Sequence, residues 1–441
     1  MGAALRGPIT AEREGDVTPS NSTEQGVKPA IRYTLPAVLA LLLGYGLMQM
    51  GNTLQGTLLT IRGGIEGFSP TEIGAVGAGF WAGVVIGSLR GGRLIRRVGH
   101  IRTFAALGAI ASSAALLHLL VVDPLIWVLA RALTGFCFAG LFIVVESWLN
   151  GAARAEIRGQ ILSVYSMTGL MAGIAGQLLL PTTDPASFRP FCIVASIIAF
   201  ALVPIALTRA SVPADAGGEA RVSLRWLYRK SPFGVVAAFL CGATIGAFFT
   251  LGPVFAQRRG LDTAEIAMFM ASGTLGGFAM AWPLGWLSDR IDRRFVIIAT
   301  AITAAATLLT MIALVPDDAS PWVLGLCVFL FGGTILPTYS IVIAHVNDVV
   351  RRSEFVAASG GLLIVQGAGA VVGPLIGGVA MSLFQRGLSY TLITVQILIA
   401  LWGLYRLTRR ASPRDADKIP FAVEPPVPVG TALEQTHAGM R

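Results

Sequence analysis

Glu146 lies inside an apolar stretch, Leu141-Phe142-Ile143-Val144-Val145-Glu146, and is the only acid well inside such a stretch. A carboxylate in hydrocarbon is costly and points to a function. Two roles fit it: an ion pair with Arg93, Arg96, Arg97 or Arg102 nearby, or carriage of a proton. Arg131 is the only base inside an apolar run. Its long side chain can snorkel to the nearer interface. It can also face a central cavity and hold a polar or anionic group, or meet a carbonyl freed by the glycine-rich helix around it. Tyr45, Gln49 and Asn52 are spaced four and three apart, which puts them on one helical face. Gln177, Tyr339 and Gln366 are further polar groups in apolar surroundings. Such groups need partners, so each either bonds a neighbouring helix or joins a mildly polar cavity. That cavity suits a neutral, zwitterionic or amphipathic solute. Trp81, Phe248, Phe249 and Trp282 are candidates for its aromatic walls.

Other chemistries lack their residues. His118 and His345 stand alone, with no His/Asp/Glu cluster for hydrolysis or metal binding. No glycine is followed by lysine, so no phosphate-binding loop exists and an ATP-driven pump is excluded. Cys137, Cys192, Cys241 and Cys327 all fall in apolar runs and read as buried small hydrophobes. Neither metal, disulfide nor cofactor is expected. The formal charge of +9 does not indicate nucleic acid, because the charges sit in short loops and tails.

The elements that position these residues are membrane helices. Of 441 residues, 54% are hydrophobic and only 13% charged, against about 25% charged in soluble domains. Crossing hydrocarbon takes about 20 apolar residues. Twelve runs qualify: 34–60, 71–92, 103–122, 125–149, 158–181, 188–208, 233–256, 263–287, 295–315, 321–345, 355–382 and 388–407. A polar, basic linker at 209–232 divides them into halves, 34–208 and 233–408. The segments 1–33 and 409–441 read as disordered cytoplasmic tails without a cleavable signal. With both termini inside, 27 of the 33 Lys and Arg fall on the inner side and 5 in outer loops. That bias fixes the expected orientation.

The halves repeat. Gly92 to Gly99 follows span two, and Gly285 to Arg294 follows span eight at an offset of 193. Gly135 and Gly332, Asn150 and Asn347, and Gly176 and Gly373 keep an offset of 197. Six spans repeated in the same orientation are a transporter architecture, with the solute site between the halves. Gly285 is expected to end span eight and allow close helix approach. Asp289 is placed to face a helix N-terminus, and Arg290, Arg293 and Arg294 to pair with carboxylates or lipid phosphates. These contacts either gate the inner side or simply anchor it. Gly83-x3-Gly87 and Gly369-x3-Gly373 let backbones touch, and Pro374 tends to kink its helix.

These motifs resemble the major facilitator superfamily over nearly the whole chain. Its loop signature G-x-L-x-D-R-x-G-R-R/K is matched at Gly285, Leu287, Asp289, Arg290, Arg293 and Arg294, with Asp292 in place of glycine. The first copy keeps Gly92, Arg97 and Gly99 but has Arg96 for aspartate and His100 for arginine. Arg131 with Gly135 resembles the span-four motif. Gly360, Gly369, Gly373, Pro374, Gly377 and Gly378 have the spacing of an antiporter motif, here in span eleven rather than five. Asn52-Thr53-Leu54, Val144-Val145-Glu146-Ser147 and the stretch from Trp282 to Asp289 are similar to the YcaD-like bacterial branch. The resemblance implies an all-α fold of two six-helix bundles. It also implies a monomeric secondary transporter of the cell membrane that moves a small solute by alternating access. Proton-coupled export is the leading expectation, and uniport or uptake of a metabolite the alternative.

Overall fold

The computed structural model describes residues 29–152, 158–207, 223–316 and 319–409. Residues 1–28 and 410–441 of the expected tails, and 209–222 of the linker, lie outside them. The described residues form helices and short turns, with no strand among them. The first half comprises α1 (Pro29–Ile65), α2 (Pro70–Val98), α3 (His100–Leu120), α4 (Pro124–Ala152), α5 (Arg158–Leu179), α6 (Arg189–Phe200) and α7 (Leu202–Ala206). A short α8 (Leu224–Lys230) precedes the second half, which comprises α9 (Pro232–Arg258), α10 (Thr263–Arg290), α11 (Arg293–Leu314), α12 (Pro321–Asn347), α13 (Phe355–Leu383) and α14 (Gly387–Leu407). Eleven spans are long and apolar enough to cross a membrane, with α6 and α7 counted as one. The 37-residue α1, which carries Gln49, Asn52 and Gln55, completes the expected twelve.

Local chemistry sets where helices start. Ser69 and Glu72 form a capping box at α2, and Asp262 and Glu265 form one at α10. Each box satisfies otherwise orphaned N–H groups. The two boxes lie 193 residues apart. So do Gly67 and Gly260, both at φ 81°, in the turns just before them. These turns repeat in conformation as well as in sequence, and the left-handed φ there suits glycine.

Two helices run further than their apolar stretches. Spans two and eight were expected to end at 92 and 287, but α2 continues to Val98 and α10 to Arg290. Gly285 therefore lies inside α10 instead of ending it. Basic residues in a last turn favour its carbonyl dipoles, and once past hydrocarbon they extend the helix at no desolvation cost. The motif at 285–294 is a helical turn, the two residues Ile291 and Asp292, and the start of α11, not a loop.

Glycines set the helix spacing. A Cβ on Gly83 would lie 2.8 Å from the Phe136 nitrogen, and one on Gly135 would lie 3.1 Å from the Val84 nitrogen. Thus α2 and α4 touch backbone to backbone. Gly276 and Gly332 make the equivalent contacts between α10 and α12. Gly369 and Gly373 press α13 onto α9 at Phe239 and Ala243, and Gly377 meets Leu251. Across the halves α2 packs on α13, α5 on α10 and α1 on α9. Large apolar side chains such as Leu120, Leu314 and Trp322 are exposed around the outside, an extensive belt that lipid would cover. Cys137 and Cys241 are buried as expected, whereas Cys192 is exposed and Cys327 half-buried. All four are free.

Candidate solute site

A cavity of about 180 Å³ lies between the halves, walled by α1, α2, α4 and α5 from one and α9, α10, α12 and α13 from the other. Drug-sized sites run to about 300–1,000 Å³, so this one suits a smaller solute. Six of the seven residues expected to line it do so: Gln49, Asn52, Arg131, Gln177, Tyr339 and Gln366. Tyr45 does not. It is buried, with its ring 4.1 Å from that of Tyr165 and edge-on to Phe142 at 5.6 Å. The same helical face carries it one turn beyond the cavity, into helix packing. Trp81 and Phe249 line the wall. Phe248 packs behind it on Phe331 at 5.5 Å. Trp282 points outward and is 74% exposed, because its position in α10 faces away from the cavity.

The polar groups differ in how they are satisfied. Thr57 donates to Gln177 Oε1 at 2.8 Å and ties α1 to α5. By contrast, Gln49 Oε1 and Asn52 Oδ1 are buried without a hydrogen-bond partner. Unpaired buried polar atoms are uncommon and need an explanation. Here the explanation is available space: both side chains border the cavity. Arg131 is 6% exposed. Its Nη1 donates to Gln55 Oε1 at 3.2 Å, and the guanidinium sits 4.3 Å above the centre of the Phe80 ring. It is turned inward, not to the interface.

Gln55, Phe80, Trp127 and Tyr165 are contributors that the sequence reading missed. Gln55 was within reach, since it follows Gln49 and Asn52 at the same three-residue spacing. Tyr165 donates its hydroxyl to Glu146 Oε1 at 3.1 Å, linking α5 to α4. Glu146 is fully buried. Beside it His100 Nε2 meets Ser147 Oγ at 3.1 Å.

At the basic end the second motif copy is an ion-pair cluster within its own half. Arg293 is buried, donates from Nε to Asp348 Oδ2 at 2.7 Å, and lies 3.1 Å from Asp289. Its Nη1 also donates to Ser288 Oγ at 3.2 Å. Asp292 caps α11 and pairs with Arg294 at 2.6 Å. Arg290 stacks on Trp286 at 3.6 Å. His100 and Arg293 occupy matching positions in the repeat, and each reaches the end of the third helix of the motif, α4 or α12. In the first copy Gly99 breaks α2 from α3 at φ 91°, and Gly92 and Arg97 lie on the last two turns of α2. At the opposite end Thr71 Oγ1 meets Ser382 Oγ at 2.9 Å across the halves. A Cβ on Gly378 would lie 2.6 Å from the Pro70 carbonyl, and Gly74 meets the carbonyl of Pro374.

Comparison with known proteins gives a consistent picture. The family model described as Major Facilitator Superfamily matches residues 41–360. An uncharacterized MFS-type transporter, YcaD of Salmonella typhimurium (strain LT2), is 25% identical over 378 residues, covering 85% of this chain and 96% of its own length. The protein of the same name from Escherichia fergusonii is 24% identical over 384 residues, covering 86% and 98%. Among solved structures, a bacterial homolog to the human lysosomal transporter Spinster, inward-facing and occupied, superposes with a TM-score of 0.69 at 16% identity, covering 89% of this chain and 99% of that one. The nucleoside transporter NupG gives 0.68 at 14% identity, covering 85% and 96%. At such identities the two structures establish a shared fold alone.

Proposed function

This chain belongs to the major facilitator superfamily, whose members are transporters and not enzymes, and we propose that it exports a small amphipathic solute in exchange for protons. The observation that carries the reading is the cavity between the halves, with the unpartnered oxygens of Gln49 and Asn52 at its wall. Sites of this kind lie at the interface of repeats, and rocking of one repeat against the other exposes them alternately. The unit is one chain, since one chain supplies every wall. The clustered Arg residues of α2, α10 and α11 support a cytoplasmic basic end in the cell membrane.

Glu146 supports the coupling. It is the acid buried within a span, and Tyr165 connects it to Tyr45, one turn along α1 from Gln49. Protonation of Glu146 changes the charge held inside the first half, and that change is communicated to the face of α1 that borders the solute. Uniport or uptake is favoured by one fact: Glu146 does not itself line the cavity. Proteoliposomes distinguish the two. Compounds that raise the thermal stability of the detergent-solubilised protein are loaded, and exchange is followed with and without a pH gradient, beside Glu146→Gln. The gradient is expected to accelerate exchange about tenfold, and the variant to lose that response while still exchanging at equal pH. Equal rates with and without the gradient would rule out coupling.

A further inference from the structure

Within the transporter reading, on which this inference rests, we propose that the solute carries one oxyanion group and that Arg131 is its docking point. Arg131 is a buried cation without a buried counter-charge. No carboxylate pairs with it among the described residues. The acid of its own helix, Glu146, is fifteen residues away, about 22 Å at 1.5 Å per residue. Acids at the end nearer Arg131 are engaged elsewhere: Glu66 by Arg62, Glu72 by the Ser69 cap, and Asp123 by the Ile126 N–H. A guanidinium has five N–H donors, and the structure uses one, toward Gln55. Arg131 borders the cavity.

An uncompensated buried charge is strongly unfavourable unless an opposite charge and further hydrogen bonds accompany it. A planar guanidinium is matched by carboxylate or phosphate oxygens, which it binds through two parallel N–H groups. Gln55 and the Phe80 face hold Arg131 in one orientation. The order that such recognition requires is therefore present before the solute arrives. Asn52 and Gln49 lie further along α1, by about 5 and 9 Å from Gln55. Their unpartnered amide oxygens accept from a hydroxyl, amide or ammonium group. Trp81 and Phe249 cover the space between. The solute class is a small organic acid with a single oxyanion, an apolar body and a hydrogen-bond donor some 5–9 Å from the anion.

Probes of the form benzyl plus head group, differing only in that group, test this. Phenylacetate, phenylacetamide, benzylammonium and benzylphosphonate are titrated against the purified protein, with quenching of tryptophan fluorescence as the readout; Trp81 and Trp127 line the cavity. The two oxyanions are expected to bind and the neutral and cationic probes to bind at least about tenfold more weakly. The stronger of carboxylate and phosphonate identifies the head group. Arg131→Gln should weaken oxyanion binding about thirtyfold or more and remove the preference. Arg131→Lys, which keeps the charge but not the fork, should weaken binding and keep the order of probes. It also serves if Arg131→Gln does not fold. Preference for a neutral or cationic probe, or oxyanion binding unchanged in both variants, would overturn the anion assignment and leave the transporter reading intact. Absence of quenching by all four would overturn the site itself.

Discussion

Arg293 shows how one residue can couple helices without touching solute. Its side chain is 1% exposed and that of its partner Asp348 is 2%, so this pair exchanges little with water. Such a pair contributes modestly relative to apolar packing, but removing one member leaves the other charge buried and unpaired. Arg293→Met is expected to cost about 3–5 kcal/mol, seen as a lowered melting temperature in detergent. The double change Arg293→Met with Asp348→Leu should restore most of it. If the single variant melts like the parent, the pair is not buried as described. Glu146 and Tyr165 form a polar contact between helices in the other half, where a phenol hydroxyl donates to the carboxylate.

The helices are legible in the sequence because hydrocarbon permits so few residue types along a span. Twelve apolar runs and the sidedness of Lys and Arg gave the count, and the 193-residue offset gave the repeat. Helix ends were less legible. Past hydrocarbon, Arg96, Arg97 and Arg290 extend a helix as well as a loop, so α2 and α10 overran their apolar stretches. The polar face of α1 placed Gln49 and Asn52 correctly, but periodicity says nothing about depth, and Tyr45 fell beyond the cavity. Facing direction misled at Trp282, since aromatic residues serve lipid-facing and cavity-facing positions alike. The Tyr165–Glu146 contact joins helices whose register no single sequence displays.

Glycine placement separates two kinds of helix contact. Gly83 holds α2 on α4 within one half, whereas Gly74 holds α2 on the Pro374 carbonyl of the other half. Backbone is what a new Cβ would strike in both cases, so neither site yields by a side-chain rotation. Gly83→Val should destabilise the fold by about 1–3 kcal/mol, the range for overpacking, in every conformation. Gly74→Val should leave thermal stability nearly unchanged and favour separation of the halves at that end. Equal loss of stability in both variants would show that the α2–α13 contact is a fixed part of the fold.

At the scale of the molecule, two six-helix halves meet around a small hollow. The contacts between them at the Thr71–Ser382 end are close, made by Pro70, Gly74, Pro374 and Gly378. At the basic end Arg293 and Asp348 pair within one half. Separation of the bundles at one end with closure at the other is the motion that the proposed transport requires. The cavity then serves as the common point that both ends reach in turn.

Locking the halves tests that motion most directly. In a chain whose four cysteines are replaced, Thr71→Cys and Ser382→Cys place two thiols where the native hydroxyls are 2.9 Å apart, within reach of a disulfide. A third cysteine at Asn52 reports on the cavity through its reaction with a membrane-impermeant thiol reagent applied from either side of sealed vesicles. Before oxidation the cavity cysteine should react from both sides. After oxidation it should react only from the basic side, and reduction should restore the other. Reaction from both sides while the halves are locked would contradict alternating access in this protein.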